Sequence, residues 1–169
     1  MRRLTLILVF TVVSACGSDP PTAPSTVQVA GLWSGTSQIT SVSGGECVGT
    51  LLQAAVGSPS TVTAAITQTG ANLTATVTSQ SDGTTCTYSG TAGSSSVSFN
   101  LTSCQVGSFR VGCSNGAIRN ISLFAGTLSA SAGGNSLSGT SASSWNVATT
   151  LGGAVGVMTV NGSFSVTRQ

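Results

Sequence analysis

The sequence predicts an all-β protein, an antiparallel up-and-down meander closed into a barrel of about eight strands. Two observations predict this class. Apolar residues alternate with hydroxyl residues over many strand-length runs, and short Gly-containing links join several of the runs. Period-two alternation indicates half-buried strands, and closure of an even-numbered meander removes the exposed strand edges. A barrel of eight to ten strands is therefore expected, and a two-sheet β-sandwich is the alternative.

Residues 1–15 have the pattern of a signal peptide. Arg2 and Arg3 precede an apolar run of about ten residues that ends at Val13, much shorter than the roughly 20 residues that cross a bilayer as a helix. The sequence that follows, Val-Ser-Ala-Cys up to Cys16, resembles the lipobox of bacterial lipoproteins. The resemblance implies cleavage before Cys16 and a diacylglycerol on its sulfur. We therefore expect an exported protein that is anchored to a bacterial membrane, the outer membrane of the cell envelope, on either its periplasmic or its outer surface.

Residues 16–26 read as a tether behind the lipidated cysteine. Three of the four prolines of the chain lie here, among small and polar residues that offer little to pack. Prolines extend such a linker. The remaining residues, 27–169, are enough for one domain with a proper core and too few for two.

Eight strands are placed along this domain, since no stretch shows convincing helical periodicity. Three links, at residues 69–71, 81–83 and 132–134, carry the Gly that tight hairpin turns need. Residues 47–57 are left open as a ninth strand or as an excursion between the first two strands. The predicted strands span residues 30–40, 60–69, 72–80, 83–91, 95–103, 118–131, 135–147 and 154–168.

Four cysteines remain in the exported domain: Cys47, Cys86, Cys104 and Cys113. An even count in an exported chain predicts two disulfides. Pairing of Cys104 with Cys113 closes a short loop and leaves Cys47 for Cys86, but a bond between Cys86 and Cys104 on adjacent strands is an open alternative. No metal site is expected, because the chain has neither His nor a Cys-x-x-Cys spacing.

The charged residues exclude several classes of function. Five Arg and three acidic residues stand in the full chain, and removal of Arg2 and Arg3 leaves three against three, a net charge of zero. Neither nucleic acid nor an anionic surface is indicated as a partner. Catalysis at neutral pH generally needs a His, a tuned Lys, paired carboxylates or a metal, so no enzyme and no cofactor is expected.

The first and last strands carry a family resemblance. Gly31-Leu32-Trp33 near the start of the first strand, with Arg168 near the end of the last, resembles the calycin pattern of lipocalins, fatty-acid-binding proteins and avidins. The resemblance implies that Trp33 closes one end of the barrel beneath the basic Arg168. With eight strands, face parity puts Trp33 and Arg168 at the same end.

The other four charged residues of the barrel domain gather at the opposite end on this strand map. They are Glu46, Asp82, Arg110 and Arg119. One interpretation is that they form weak surface ion pairs. The other is that the two arginines face an anionic or polar group of a ligand at the barrel mouth, since the guanidinium fork suits carboxylate or phosphate.

Two functions of different classes fit the sequence. A small barrel whose interior is not filled holds one ligand, and many inward positions here are Ala, Val, Gly or Ser. The first expectation is thus a membrane-anchored lipoprotein that binds a small apolar or amphipathic ligand. The alternative is a non-enzymatic structural or interaction module of the cell surface with a filled barrel. The volume of the interior distinguishes them.

Overall fold

The computed structural model describes residues 25–44, 53, 55–105, 109–113 and 115–169. Within them lie nine strands: β1 (Gly31–Ser43), β2 (Pro59–Thr69), β3 (Asn72–Ser79), β4 (Thr85–Ala92), β5 (Ser96–Gln105), β6 (Phe109–Gly112), β7 (Ile118–Gly133), β8 (Ser136–Thr149) and β9 (Ala154–Arg168). No helix in this described part of the chain has the length and apolar character needed to cross a membrane.

Eight of the strands close into one antiparallel barrel. They follow the order β5-β4-β3-β2-β1-β9-β8-β7, and pairing of β5 with β7 completes the ring. The predicted fold class is confirmed, and a barrel is formed rather than the alternative sandwich. The predicted strand boundaries differ from the observed ones by at most three residues.

The short strand β6 was not predicted. It pairs with the first four residues of β7, on the same edge that β5 occupies further along. β6 therefore forms a small hairpin with β7 and is not one of the eight strands of the closed barrel. The segment 47–57 lies largely outside the described residues, although Val56 forms an isolated parallel bridge with Ile39 of β1.

Glycines set the three predicted hairpin turns. Gly70, Gly83 and Gly134 have φ values of 60°, 69° and 63°, in the left-handed region that residues with a β-carbon avoid. The turns alternate between the two ends of the barrel. Those after β2, β4 and β7 lie at the end that contains Trp33, here called the Trp33 end, and those after β3 and β8 lie at the far end.

Other glycines let neighbouring strands approach closely. A β-carbon on Gly139 would overlap the carbonyl oxygen of Ser129, and one on Gly35 would overlap that of Ser165. Both glycines are paired within strands, Gly139 with Phe164 and Gly35 with Val166. The tight curvature of the wall at these points therefore requires the absence of a side chain.

The seam between β5 and β7 is the shortest in the ring. It contains five pairs, from Ser96–Ser131 to Asn100–Thr127. Beyond it, residues 122–126 of β7 pair with neither β5 nor β6, and β7 has a bulge between Leu123 and Ala125. Toward the far end, the barrel wall therefore has the fewest backbone pairings between β5 and β7.

Two buried clusters fill the two ends of the barrel. The cluster at the Trp33 end is the larger, and Val42, Ile121, Val147 and Met158 form the cluster at the far end. The larger cluster consists of Val29, Trp33, Val62, Ile66, Leu73, Ala75, Ala92, Val97, Phe99, Ala130, Leu137 and Val166.

Candidate functional site: the barrel interior

The Trp33 end has a closed floor. Trp33 is 1% exposed, and the guanidinium carbon of Arg168 lies 5.0 Å from the centre of its ring. Register explains the meeting, because Trp33 and Arg168 are paired residues of β1 and β9. Gly31 lies beside the Arg168 side chain, and its φ of 136° is in the region that favours glycine. The structure therefore brings together the three residues that the calycin resemblance implies for the end of the barrel.

The segment before β1 lies under this floor. The indole nitrogen of Trp33 donates to the carbonyl of Val29 at 2.9 Å, and the guanidinium of Arg168 donates to the carbonyl of Gln28 at 2.7 Å. Gln68 of β2 accepts from the backbone N–H of Val29 and donates to the carbonyl of Val27, both at 2.8 Å. The indole of Trp33 and the guanidinium of Arg168 thus also hold the segment that leads into β1.

A cavity of about 290 Å³ lies above the floor. Its wall is mostly apolar, and strands such as β2 and β5 present alternate residues to it, as period-two strands do. Such walls are typical of ligand pockets. Among the apolar side chains that line it are Val62, Ala64, Ile66, Val77, Val97, Phe99, Leu128, Ala130, Leu137, Phe164 and Val166.

Polar groups interrupt this wall at a few points. Tyr88 of β4, Ser37 of β1 and Ser141 of β8 line the cavity, and none of their hydroxyls makes a hydrogen bond among the described residues. Burial raises the pKa of Tyr88 above its usual value, so the phenol is neutral and can donate. These hydroxyls are available to a ligand.

A fourth hydroxyl in the wall is already committed. Ser143 accepts a hydrogen bond from the indole nitrogen of Trp145 at 3.0 Å and donates to the carbonyl of Val160 at 3.3 Å. These two hydrogen bonds connect β8 to β9 at the point where the cavity meets the buried cluster of the far end. A further space of about 180 Å³ shares Ser37, Ser141 and Ser143 with the cavity.

Three of the four charged residues predicted at the mouth, Asp82, Arg110 and Arg119, lie on elements at the far end. Glu46 lies outside the described residues. Asp82 sits in the turn between β3 and β4 and lines the cavity, whereas Arg110 of β6 and Arg119 of β7 do not line it. Arg119 donates to the carbonyl of Ile118 at 3.3 Å.

The Asp82 carboxylate is engaged by its own turn. It accepts a hydrogen bond from the backbone N–H of Thr84 at 3.1 Å. Partial burial alone would raise the pKa of Asp82, but hydrogen bonds from Thr84 and Ser79 outweigh it and lower that pKa below its usual value. Asp82 is therefore ionised at neutral pH, at the outer edge of the cavity.

The disulfide pairing corrects the first expectation. Cys86 of β4 is bonded to Cys104 of β5, its direct cross-strand neighbour, so the pairing of Cys104 with Cys113 is wrong and the open alternative is the one formed. Adjacent β-carbons on paired strands are close enough for this bond. Cys113 is also in a disulfide. Cys47 and Cys16 lie outside the described residues.

No cluster of metal-binding side chains is found among the described residues. A larger depression, of about 530 Å³, lies on the outside of the wall and is lined mainly by Ser and Thr hydroxyls of β4, β5, β7 and β8. It is shallow and polar, and it offers an apolar molecule little to bury against. The enclosed, apolar interior is the stronger candidate for a binding site.

Sequence reasoning missed Tyr88 and the two serines as site residues. The alternating pattern predicts which residues of a strand face the interior of the barrel. It does not distinguish an inward hydroxyl that faces a cavity from one that is hydrogen-bonded to a neighbouring strand. Tyr88 is the one Tyr of the chain and shares its face with Cys86, which is the signal that would have pointed to it.

No protein-family model, no curated protein and no solved structure matches this chain.

Proposed function

We propose that this protein is a membrane-anchored lipoprotein of the bacterial cell envelope whose calycin-like barrel binds one small apolar or amphipathic molecule. The observation that carries the binding function is the apolar interior cavity of about 290 Å³. Ligand pockets generally start at about this volume.

The same cavity argues against the alternative function, a structural module with a filled barrel. A chain selected only for a stable outer surface would gain from larger side chains at inward positions such as Ala64 and Ala130, which line the cavity. Small residues at these positions keep space open. The closed floor at the Trp33 end supports the same interpretation, because it leaves entry to the far end. There the cavity reaches the turn between β3 and β4, beside the buried cluster of Val42, Ile121, Val147 and Met158.

The binding function is tested by filling the cavity. Protein purified without added ligand is extracted with organic solvent, and the extract is analysed by mass spectrometry. A molecule that copurifies with the wild type should be lost from Ala64→Phe, whose new ring occupies the cavity. Ala65→Phe is the matched control, since Ala65 is the exposed neighbour of Ala64 on β2. Equal recovery from both variants, or binding of no apolar compound by the wild type, would contradict the proposal.

The anchoring function rests on the apolar leader and the lipobox-like residues before Cys16. One acyl chain holds a protein to a bilayer marginally, and two or more hold it stably. Cys16→Ser should move the protein from the detergent phase to the aqueous phase in a phase-separation assay, or leave an uncleaved precursor. Ser18→Ala is the control and should partition like the wild type. Unchanged partitioning of Cys16→Ser would refute lipidation.

A further inference from the structure

The cavity determines the size of molecule it takes. A cavity of about 150 Å³ lined by apolar side chains holds benzene, which has six non-hydrogen atoms. By the same ratio, the cavity of about 290 Å³ holds roughly twelve. A fused two-ring compound or a medium-length alkyl chain has this size.

The described residues of the wall offer no cation to an anionic ligand. Asp82 is the charged residue found among the described lining residues, and its carboxylate would repel an anion. A carboxylate moved from water into this wall would lose its hydration without gaining a partner, which is strongly unfavourable. A cation gains little more, because Asp82 lies at the exposed edge and is already bonded to Thr84.

The wall does offer hydrogen bonds to an uncharged group. Tyr88 is half-buried on β4, opposite Leu101 of β5, and its hydroxyl has no partner among the described residues. Ser37 and Ser141 add two more such hydroxyls on β1 and β8. A ligand hydroxyl or carbonyl at this point can form a hydrogen bond to one of these groups, so it gains affinity that a hydrocarbon does not.

From these observations we infer that the ligand is uncharged, with an apolar body of roughly twelve non-hydrogen atoms and one hydroxyl or carbonyl group that bonds to Tyr88. The inference rests on the proposed binding function and narrows it. It also replaces the idea of an anionic group held by Arg110 and Arg119, because neither arginine lines the cavity.

Three probes of one ring system test the inference: naphthalene, 1-naphthol and 1-naphthoate. Their affinities for the purified protein are measured at pH 7 by calorimetry or by quenching of tryptophan fluorescence. We expect 1-naphthol to bind about 3- to 10-fold more tightly than naphthalene, the value of one hydrogen bond. We expect 1-naphthoate to bind at least tenfold more weakly than 1-naphthol.

Variants separate the hydrogen bond from packing. Tyr88→Phe keeps the ring and should remove the advantage of 1-naphthol over naphthalene while leaving naphthalene affinity unchanged. Ser89→Ala, which removes an exposed hydroxyl from the next residue of β4, should change neither affinity.

Each contrary result has a distinct meaning. Naphthoate affinity equal to that of naphthol would overturn the uncharged class while leaving the binding function intact. An equal loss of both neutral probes in Tyr88→Phe would overturn the hydrogen bond and assign Tyr88 to packing. Failure of all three probes to bind would overturn the inference together with the binding function.

Discussion

Arg168 has two contacts at the floor of the barrel that a shorter or uncharged side chain would not make together. Its guanidinium lies over the Trp33 ring and also donates to the carbonyl of Gln28. A cation over an indole contributes about 0.5 to 2 kcal/mol, and a hydrogen bond from a charged donor contributes on a similar scale. The residue therefore links the last strand, the first strand and the segment before it.

Removal of this charge should destabilise the fold. Arg168→Met keeps an apolar stem but loses the cation and its hydrogen bond, so we expect the free energy of unfolding in urea to fall by about 1 to 3 kcal/mol. Arg110→Met is the control. Arg110 is exposed on β6, and its replacement should stay within about 0.5 kcal/mol. Equal effects of the two changes would show that the floor contacts add nothing specific.

Gly139 supports a second prediction at this scale. Gly139→Ala places a methyl group against the backbone of Ser129, so β7 and β8 must shift apart. We expect a loss of about 1 to 3 kcal/mol, the usual range for overpacking, measured by urea unfolding. Gly112→Ala is the control, because nothing lies within 4 Å of a β-carbon there. A loss below about 0.5 kcal/mol for Gly139→Ala would mean that the wall yields easily.

At the scale of elements, the sequence predicted the features that depend on local residue patterns. Eight strands and three hairpin turns follow from alternation and from Gly70, Gly83 and Gly134, because side-chain period and positive φ are local properties. β6 was missed since four residues are too few to show a period. The choice of Cys104 as the partner of Cys86 depends on cross-strand register, which the cysteine spacing alone does not fix.

The short seam between β5 and β7 permits an engineered bond. A β-carbon on Gly126 would lie 3.4 Å from that of Leu101, close to the separation found in disulfides. Leu101→Cys with Gly126→Cys should therefore crosslink the seam and raise the free energy of unfolding by up to about 3 kcal/mol. The gain is measured by urea unfolding with and without reductant.

The single variants Leu101→Cys and Gly126→Cys serve as controls for this crosslink, and peptide mapping must also show that the Cys86–Cys104 bond is retained. If the oxidised double variant is no more stable than its reduced form, then strand separation at this seam does not limit stability.

At the scale of the whole molecule, the interior could be anticipated only in part. Small inward residues predicted an unfilled interior, but the volume of a cavity depends on how side chains from all eight barrel strands pack together, and no local pattern encodes that packing. The same holds for Tyr88, because the lack of a hydrogen-bond partner for its hydroxyl among the described residues depends on how its neighbours in the barrel pack. The end at which Asp82, Arg110 and Arg119 lie was predictable from strand order, whereas which of them lines the cavity was not.

The second disulfide is a prediction at this scale. Cys86 and Cys104 are joined, and Cys113 is also in a disulfide, so Cys47 is the remaining cysteine of the barrel domain. Peptide mapping without reduction should recover Cys47 bonded to Cys113. Such a bond would connect the segment between β1 and β2 to the turn between β6 and β7. Recovery of Cys47 as a free thiol would contradict the prediction, and the Cys86–Cys104 peptide serves as the internal control.

The pairing of β1 with β9 has a consequence for how the chain folds. It joins residues as distant in sequence as Ser34 and Thr167, 133 positions apart, whereas the Cys86–Cys104 bond spans 18. Contacts of high sequence separation slow folding, because the entropy of the intervening loop must be lost before they form. The central hairpins can therefore assemble while the chain is still being released, but the edges of β1 and β8 remain open to other chains until the last fifteen-residue strand arrives. The ring closes last at the strand that carries Arg168.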